Sequence, residues 1–109
     1  MATLNHPLIE RFLEALWLEK GLSAHTQAAY RSDLEHFNAW LDGRGLALQH
    51  VGRDAILDHL AWRLEQGYQA RSTARFLSGV RGFYRFLLRE TLISEDPTLQ
   101  IELPQIGRP

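Results

Sequence analysis

Five arginines occupy one stretch of the chain, and their spacing could bind a polyanion. Residues 66–89 contain these five basic residues and no acidic residue. On a helix with 100° per residue, they fall within an arc of about 120° beside an apolar face. Several form like-charge pairs at i,i+4, each of which destabilises an isolated helix by about 0.2–0.5 kcal/mol. The five residues are Arg71, Arg75, Arg81, Arg85 and Arg89.

This arginine stripe predicts a phosphate ligand. The planar guanidinium fork matches phosphate oxygens, and a line of arginines along about three helical turns suits a polyanion better than one small ligand. Two alternatives stay open. The stripe could be a solvated face, although such a face usually interleaves acids with bases. It could also pair with acids of other helices, such as Glu10, Glu14 or Asp58, which would neutralise one or two of the five arginines.

Three small residues lie in or beside the stripe. Ser78 adds a hydroxyl within it. Gly79 and Gly82 each destabilise a helix interior by about 1 kcal/mol relative to Ala. For Gly79 we favour close packing against another helix. For Gly82 close packing and close approach of a ligand are both open, because the missing side chain permits either.

The starts of two predicted helices add hydrogen-bond donors. Free N–H groups and hydroxyls at a helix start suit phosphate oxygens, although ordinary capping needs no ligand. Arg31 would extend the patch at the second helix. Of the stripe, the candidate phosphate-binding residues are Arg71, Arg75, Ser78, Arg81 and Arg85. Outside the stripe they are Ser23, Thr26, Gln27, Arg31, Ser72 and Thr73.

No group of residues predicts catalysis, a metal or a cofactor. The chain has no Cys, and its five His show no ligand spacing. A phosphate-binding glycine loop is absent from the sequence. His50 and Arg53 spell H-x-x-R, but no nucleophile accompanies them, so we interpret the match as coincidence. We therefore expect no cofactor and no metal.

The distribution of charge is more informative than its total. The 109 residues fit one globular domain, with 45% hydrophobic and 23% charged residues. The net charge of -1 alone would argue against nucleic acid. It is the sum of about -3 for residues 1–65, +5 for 66–89 and -3 for 90–109. No apolar run reaches the roughly 18 residues of a membrane span, and no signal peptide is evident, so we expect a cytoplasmic protein without a membrane partner.

Periodicity and helix caps predict an all-α, compact four-helix bundle. No stretch alternates as a strand would. Asn5-His6, Ser23 and Ser72 are the predicted N-caps, and Asp96-Pro97 starts a short fifth helix or turn. Residues 1–100 would form the domain and residues 101–109 a linker toward an absent domain. The predicted helices span residues 7–20, 24–42, 54–66 and 72–90.

Two details of packing are also predicted. On the third helix, four apolar residues are expected to face inward. Trp17 and Trp62 fall outside the apolar faces of their helices, so each either packs under a loop or anchors a protein contact. The four residues of the third helix are Ile56, Leu57, Leu60 and Leu64.

Two runs resemble the tyrosine site-specific recombinases. Residues Leu22–Phe37 resemble the pattern L-S-x-x-T-x-x-x-Y-x-x-D-L-x-x-F of that family, and Ser72–Leu87 resembles a later stretch. Gly67–Ser72 and the acidic turn at Glu95-Asp96-Pro97 are similar to its Xer group. The resemblance covers about 90 residues. It implies a SAM-like N-terminal core-binding domain whose second and fourth helices face duplex DNA.

The resemblance also implies what lies elsewhere. In this family a C-terminal domain carries the catalytic residues, including the tyrosine that forms a phosphotyrosine, so this chain alone should cleave nothing. Xer recombinases act with XerC-like partner subunits in a tetramer on DNA and resolve chromosome dimers in the bacterial cytoplasm; the isolated domain should be monomeric. Two alternatives stay open: a phage-type integrase domain, and an all-α protein-interaction module that docks an acidic partner.

The chain departs from the family pattern at three positions. Gly79 and Gly82 stand where larger residues are usual, and Arg71 stands where Ser or Thr is common.

Overall fold

Four α-helices carry most of the chain, as the sequence predicts. The computed structural model describes residues 6–99 and residue 101. No strand occurs among these residues, which confirms the all-α class. A short 3₁₀ helix, Leu48–His50, lies in the connector between the second and third helices. The helices are α1 Pro7–Lys20, α2 Ala24–Asp42, α3 Arg53–Glu65 and α4 Ala70–Arg89.

Local capping sets the ends of α1 and α2. The Nδ1 atom of His6 accepts a hydrogen bond of 3.2 Å from the Leu8 N–H and caps α1. Gly21 ends this helix with φ 59°, a left-handed conformation that glycine adopts without strain. Ser23 caps α2, because its Oγ accepts a 3.2 Å hydrogen bond from the Thr26 N–H. The predicted caps at His6 and Ser23 are confirmed.

The start of α4 differs from the prediction. The helix begins at Ala70, and its N-cap residue Gln69 makes no side-chain cap hydrogen bond. Ser72 lies inside the first turn, where its Oγ accepts a hydrogen bond from Arg63 of α3. The predicted N-cap at Ser72 is therefore wrong, since a tertiary contact takes the hydroxyl that would have capped the helix.

The core lies between α1, α2 and α4, with α3 packed against α2. Each fully buried large apolar side chain contributes about 1.5–3 kcal/mol. Phe12 of α1 meets Phe83 of α4 edge-on at 5.6 Å between ring centroids. The fully buried apolar residues include Ile9, Leu34, Phe37, Leu41, Ile56, Phe76, Leu77, Val80, Phe83 and Leu87.

The buried face of α3 is rotated from the predicted one. Ile56 and Leu60 are buried as expected, but Leu57 is partly exposed and Leu64 is 60% exposed. His59 and Arg63 are buried instead. The His59 ring packs against Phe37 of α2 and Phe76 of α4, and the Arg63 guanidinium lies over the Phe76 ring. With His59 and Arg63 packed inward, the buried face of α3 is shifted by about one residue from the predicted face. The prediction that Leu57 and Leu64 face inward is therefore wrong.

The segment after α4 ends in a turn that packs on the domain. The Asp96 carboxylate accepts hydrogen bonds from the N–H and the hydroxyl of Thr98, at 2.8 and 2.7 Å. Residues 97–99 form this turn. Ile101, which the sequence analysis placed in the linker, is 2% exposed within the core. The rest of the expected linker, residues 102–109, and Asn5 lie outside the described residues. In the described part, no helix is both long and apolar enough to cross a membrane.

Candidate nucleic-acid interface

Two arginines of the stripe are engaged by neighbouring helices. Arg75 donates from Nε and Nη2 to the two carboxylate oxygens of Asp33 on α2, both at 2.8 Å. These hydrogen bonds raise the pKa of the Arg75 guanidinium above its ordinary value. Arg89 donates from Nη2 to Glu19 of α1 at 2.9 Å. Interhelical pairing thus takes two of the five arginines, with different acids from those expected.

Both glycines of α4 allow close helix packing. A Cβ on Gly79 would lie 3.1 Å from Cδ1 of Tyr30, a residue of α2. A Cβ on Gly82 would lie 3.3 Å from Cζ of Phe12, a residue of α1. For Gly82 the structure therefore favours packing over the approach of a ligand, because the Phe12 ring already occupies that side.

Two candidate residues of α2 also have internal partners. Arg31 forms a bidentate pair with Glu10 of α1, at 2.9 and 2.7 Å. The hydrogen bond from Arg31 holds the pKa of Glu10 below its usual range, against the opposing effect of burial. Gln27 is buried and donates from Nε2 to the Leu13 carbonyl at 3.1 Å. These contacts fasten α2 to α1.

The start of α2 faces solvent. Ser23 is exposed and Thr26 half-buried. The Ser23 hydroxyl donates to Thr26 Oγ1 at 3.1 Å. The capping that the sequence analysis expected for Ser23 is present, and both hydroxyls lie at the surface.

One strip of α4 stays open to solvent, and we call it the α4 strip: Arg71, Ser78 and Arg85. All three residues are exposed. Over residues 6–99 and 101, none of the three side chains makes a hydrogen bond, and neither arginine has an acid within 4 Å. They stand seven residues apart, so each is about 10.5 Å further along the helix and turned by only about 20°. The strip is therefore a nearly straight line about 21 Å long.

Arg81 lies beside the α4 strip and is half-buried. Its Nη2 donates a hydrogen bond to the Ile101 carbonyl. This contact ties the end of the described chain to α4, and it places a third cation at the edge of the strip.

The first turn of α4 has a partner that the sequence analysis missed. Arg63 of α3 donates from Nε to Thr73 Oγ1 and from Nη2 to Ser72 Oγ, both at 3.1 Å. Thr73 is buried and Ser72 half-buried. A signal was present, because Arg63 follows Ile56 and His59 at helical spacing on one face.

An aromatic cluster packs behind this contact. His59 is 1% exposed, and its ring centroid lies 4.8–4.9 Å from those of Phe37, Trp40 and Phe76. Burial, with the charges of Arg63 and Arg44, lowers the pKa of His59 to about 4. Trp62 stacks on His59 at 5.4 Å, so it packs within the protein. Trp17, in contrast, is largely exposed.

The comparisons with known proteins agree with this architecture. Residues 9–91 match the family model described as phage integrase, N-terminal SAM-like domain. The chain is 75% identical to tyrosine recombinase XerD of Pseudomonas aeruginosa over 109 residues, and 64% identical to that of Pseudomonas putida. Both alignments cover all of this chain and 37% of the relative.

A third relative has the same name. Tyrosine recombinase XerD of Shewanella oneidensis is 48% identical over 102 residues, which are 94% of this chain and 34% of that protein. The chain thus spans about a third of the length of these relatives.

Proposed function

Since this chain belongs to the family of phage-integrase N-terminal SAM-like domains, we propose that it is the duplex-DNA-binding domain of a XerD-like tyrosine recombinase. The relatives at 75% and 64% identity support this assignment. The observation that carries the binding role is the α4 strip, a nearly straight line of two exposed arginines with an exposed serine between them. Neither arginine has an acidic partner among the described residues.

The strip holds the DNA backbone. Arg71 and Arg85 each bind a phosphate, and Ser78 between them donates a hydroxyl hydrogen bond. Arg81 adds a charge at the edge of the strip. The start of α2 extends the surface through the hydroxyls of Ser23, which is exposed, and Thr26, which is half-buried.

The paired arginines have two tasks. Arg75 and Arg31 use Nε and Nη2 for their acids, and Nη1 donates to no atom in the described part of the chain. Each guanidinium thus joins two helices through Nε and Nη2, and its Nη1 is left to donate to a phosphate. Gln27, in contrast, acts by fastening α2 to α1.

The whole protein acts with partners. We propose that it joins XerC-like subunits in a tetramer on DNA, in the bacterial cytoplasm, and takes part in site-specific recombination and chromosome dimer resolution. Strand cleavage and rejoining then belong to the rest of the protein, and this domain holds the duplex. Recombination of a plasmid carrying two chromosomal target sites, with and without a XerC-like subunit, tests this assignment.

Titration with duplex DNA at rising salt tests the binding role. The logarithm of affinity should fall linearly with the logarithm of salt concentration, with a slope of about 0.9 for each phosphate contacted. Arg71→Ala and Arg85→Ala should each flatten the slope by about one. Arg53→Ala on α3 makes the same charge change away from the strip and should leave the slope unchanged.

Two results would reject the binding role. One is the absence of binding at low salt. The other is equal loss from Arg53→Ala and from the strip variants, which would show only a response to net charge. Binding to poly-glutamate but not to duplex DNA would favour the protein-interaction alternative.

A further inference from the structure

Arg63 is a buried cation that has no carboxylate partner among the residues that the structure describes. The whole Arg63 residue is only 3% exposed to solvent. No acid lies within 4 Å of its guanidinium among residues 6–99 and 101. Burying an unpaired charge is strongly unfavourable. An arginine at such a position therefore needs its charge to be compensated by something other than packing.

The surroundings of Arg63 stabilise it without neutralising it. The guanidinium carbon lies 4.2 Å from the ring centroid of Tyr68 and 4.9 Å from that of Phe76. Burial lowers the pKa of Arg63, and Asp33 acts in the opposite direction. The Asp33 carboxylate is itself bound by Arg75 through both oxygens. The group of Arg63, Arg75 and Asp33 consequently carries one positive charge in excess.

The hydroxyls that Arg63 binds have hydrogens to donate. A serine or threonine hydroxyl accepts hydrogen bonds and also donates one. Ser72 and Thr73 each accept from Arg63. Over the described residues, neither hydroxyl donates to a protein atom, although such hydroxyls in helices commonly donate to a preceding carbonyl. Ser72 is half-buried and Thr73 is buried, so of these two residues Ser72 is the more accessible to solvent.

The first turn of α4, which contains Ser72, also has free backbone N–H donors. The first hydrogen bond of α4 runs from the Thr73 N–H to the Gln69 carbonyl at 3.0 Å. The N–H groups of Ala70, Arg71 and Ser72 precede it and have no partner within the helix. Gln69 offers no side-chain cap. Free N–H groups, a half-buried serine hydroxyl with a hydrogen to donate and an excess positive charge in contact with that hydroxyl together match one oxyanion.

We propose that Arg63 is a positioning residue, which holds the Ser72 hydroxyl as a donor to one DNA backbone phosphate bound at the first turn of α4. The proposal rests on the proposed function for the source of the phosphate. Arg63 acts through Ser72 and through its charge, whereas the α4 strip contacts its phosphates directly.

The first experiment uses inorganic phosphate, followed by amide chemical shifts of the 109-residue chain. The Arg71 and Ser72 amides should shift and saturate in the unchanged protein. The same shifts should be lost in Arg63→Met, which keeps the length of the stem but removes the charge and the donors. Arg53→Met, the same change at an exposed position of α3, should behave like the unchanged protein.

The second experiment measures duplex binding at several salt concentrations. Arg63→Met should weaken binding by about tenfold and flatten the salt slope by about one. Ser72→Ala should weaken binding without changing the slope, because it removes no charge. The double variant should lose less than the product of the two single losses, since the two residues act on one phosphate. Arg63→Lys should recover the slope but not the full affinity, because one ammonium cannot bind both hydroxyls as the fork does.

The outcomes separate this proposal from the binding role. If the unchanged chain binds no duplex, the binding role fails, and the phosphate titration still tests the site. If the chain binds duplex but folded Arg63→Met keeps full affinity and slope, Arg63 is structural only. Should Arg63→Met fail to fold, Ser72→Ala and Arg63→Lys decide, and unchanged affinity in both would overturn the proposal.

Discussion

The carboxylate of Asp33 on α2 accepts two hydrogen bonds of 2.8 Å from the Arg75 guanidinium on α4. The Asp33 side chain is 7% exposed, while that of Arg75 is 45% exposed. A buried carboxylate is tolerated when it is hydrogen-bonded and paired. The pair therefore holds α2 against α4. It also occupies the Nε and Nη2 atoms of Arg75, an arginine that the charge pattern alone would assign to a ligand.

Replacing Asp33 with Asn should destabilise the fold by about 1–3 kcal/mol, because the variant leaves Arg75 without a counter-charge. The value is below that for a fully buried pair, since Arg75 is close to half exposed. Urea unfolding followed by circular dichroism measures it. Glu10→Gln breaks the more exposed pair with Arg31 and should lose less than about 1 kcal/mol. Equal losses in the two variants would contradict this role of the pair.

Replacing Gly79 with Val should destabilise the domain by about 1–3 kcal/mol. The new Cβ would stand 3.1 Å from a ring carbon of Tyr30, so α2 and α4 must move apart. Ser78→Val is the matched control, because it adds the same side chain at an exposed position of the same helix. It should change the free energy of unfolding by less than about 0.5 kcal/mol. A stable Gly79→Val protein would show that the helix contact yields readily.

His59 should make the domain less stable in mild acid. Burial lowers the pKa of His59 to about 4 in the fold, from an ordinary value of about 6.5 in the unfolded chain. Between these values the unfolded chain binds more protons, so stability is fully present above about pH 6.5 and is lost as pH falls toward 4. The loss is about 3 kcal/mol over the window. Urea unfolding between pH 4 and pH 7.5 measures it.

The corresponding variant is His59→Leu, which should remove most of this pH dependence. His36→Gln changes an exposed histidine of α2 and should leave the dependence as it was. An unaltered pH profile in His59→Leu would assign the acid sensitivity to another group, such as His6, whose pKa is also lowered by burial.

Ile101→Ala should cost about 2–4 kcal/mol of stability, because the side chain is 2% exposed in the core. Leu99→Ala removes a similar side chain from an exposed position two residues earlier and should have little effect. The comparison of the two midpoints of thermal unfolding is the measurement. Similar midpoints would place the end of the stabilising core before Ile101.

The helices and most of their ends could be predicted from the sequence. Caps such as Ser23 and stops such as Gly21 act over three or four residues, so the local sequence contains both partners of each contact. The start of α4 could not be placed this way. There the Ser72 hydroxyl binds Arg63, nine residues earlier on another helix. The same holds for α3, whose buried face follows the aromatic side chains that surround His59.

The stripe of arginines is a property of the sequence, because helical periodicity alone places the five on one side of α4. The tertiary structure decided which of them face solvent without a partner. Asp33 and Glu19, which bind Arg75 and Arg89, lie 42 and 70 residues away along the chain. Helical periodicity in the sequence gives the positions of residues around one helix axis. It carries no information on which distant acidic residue packs against that helix. The sequence therefore determined the charge and its face, and the packing of α1 and α2 reduced that face to the α4 strip.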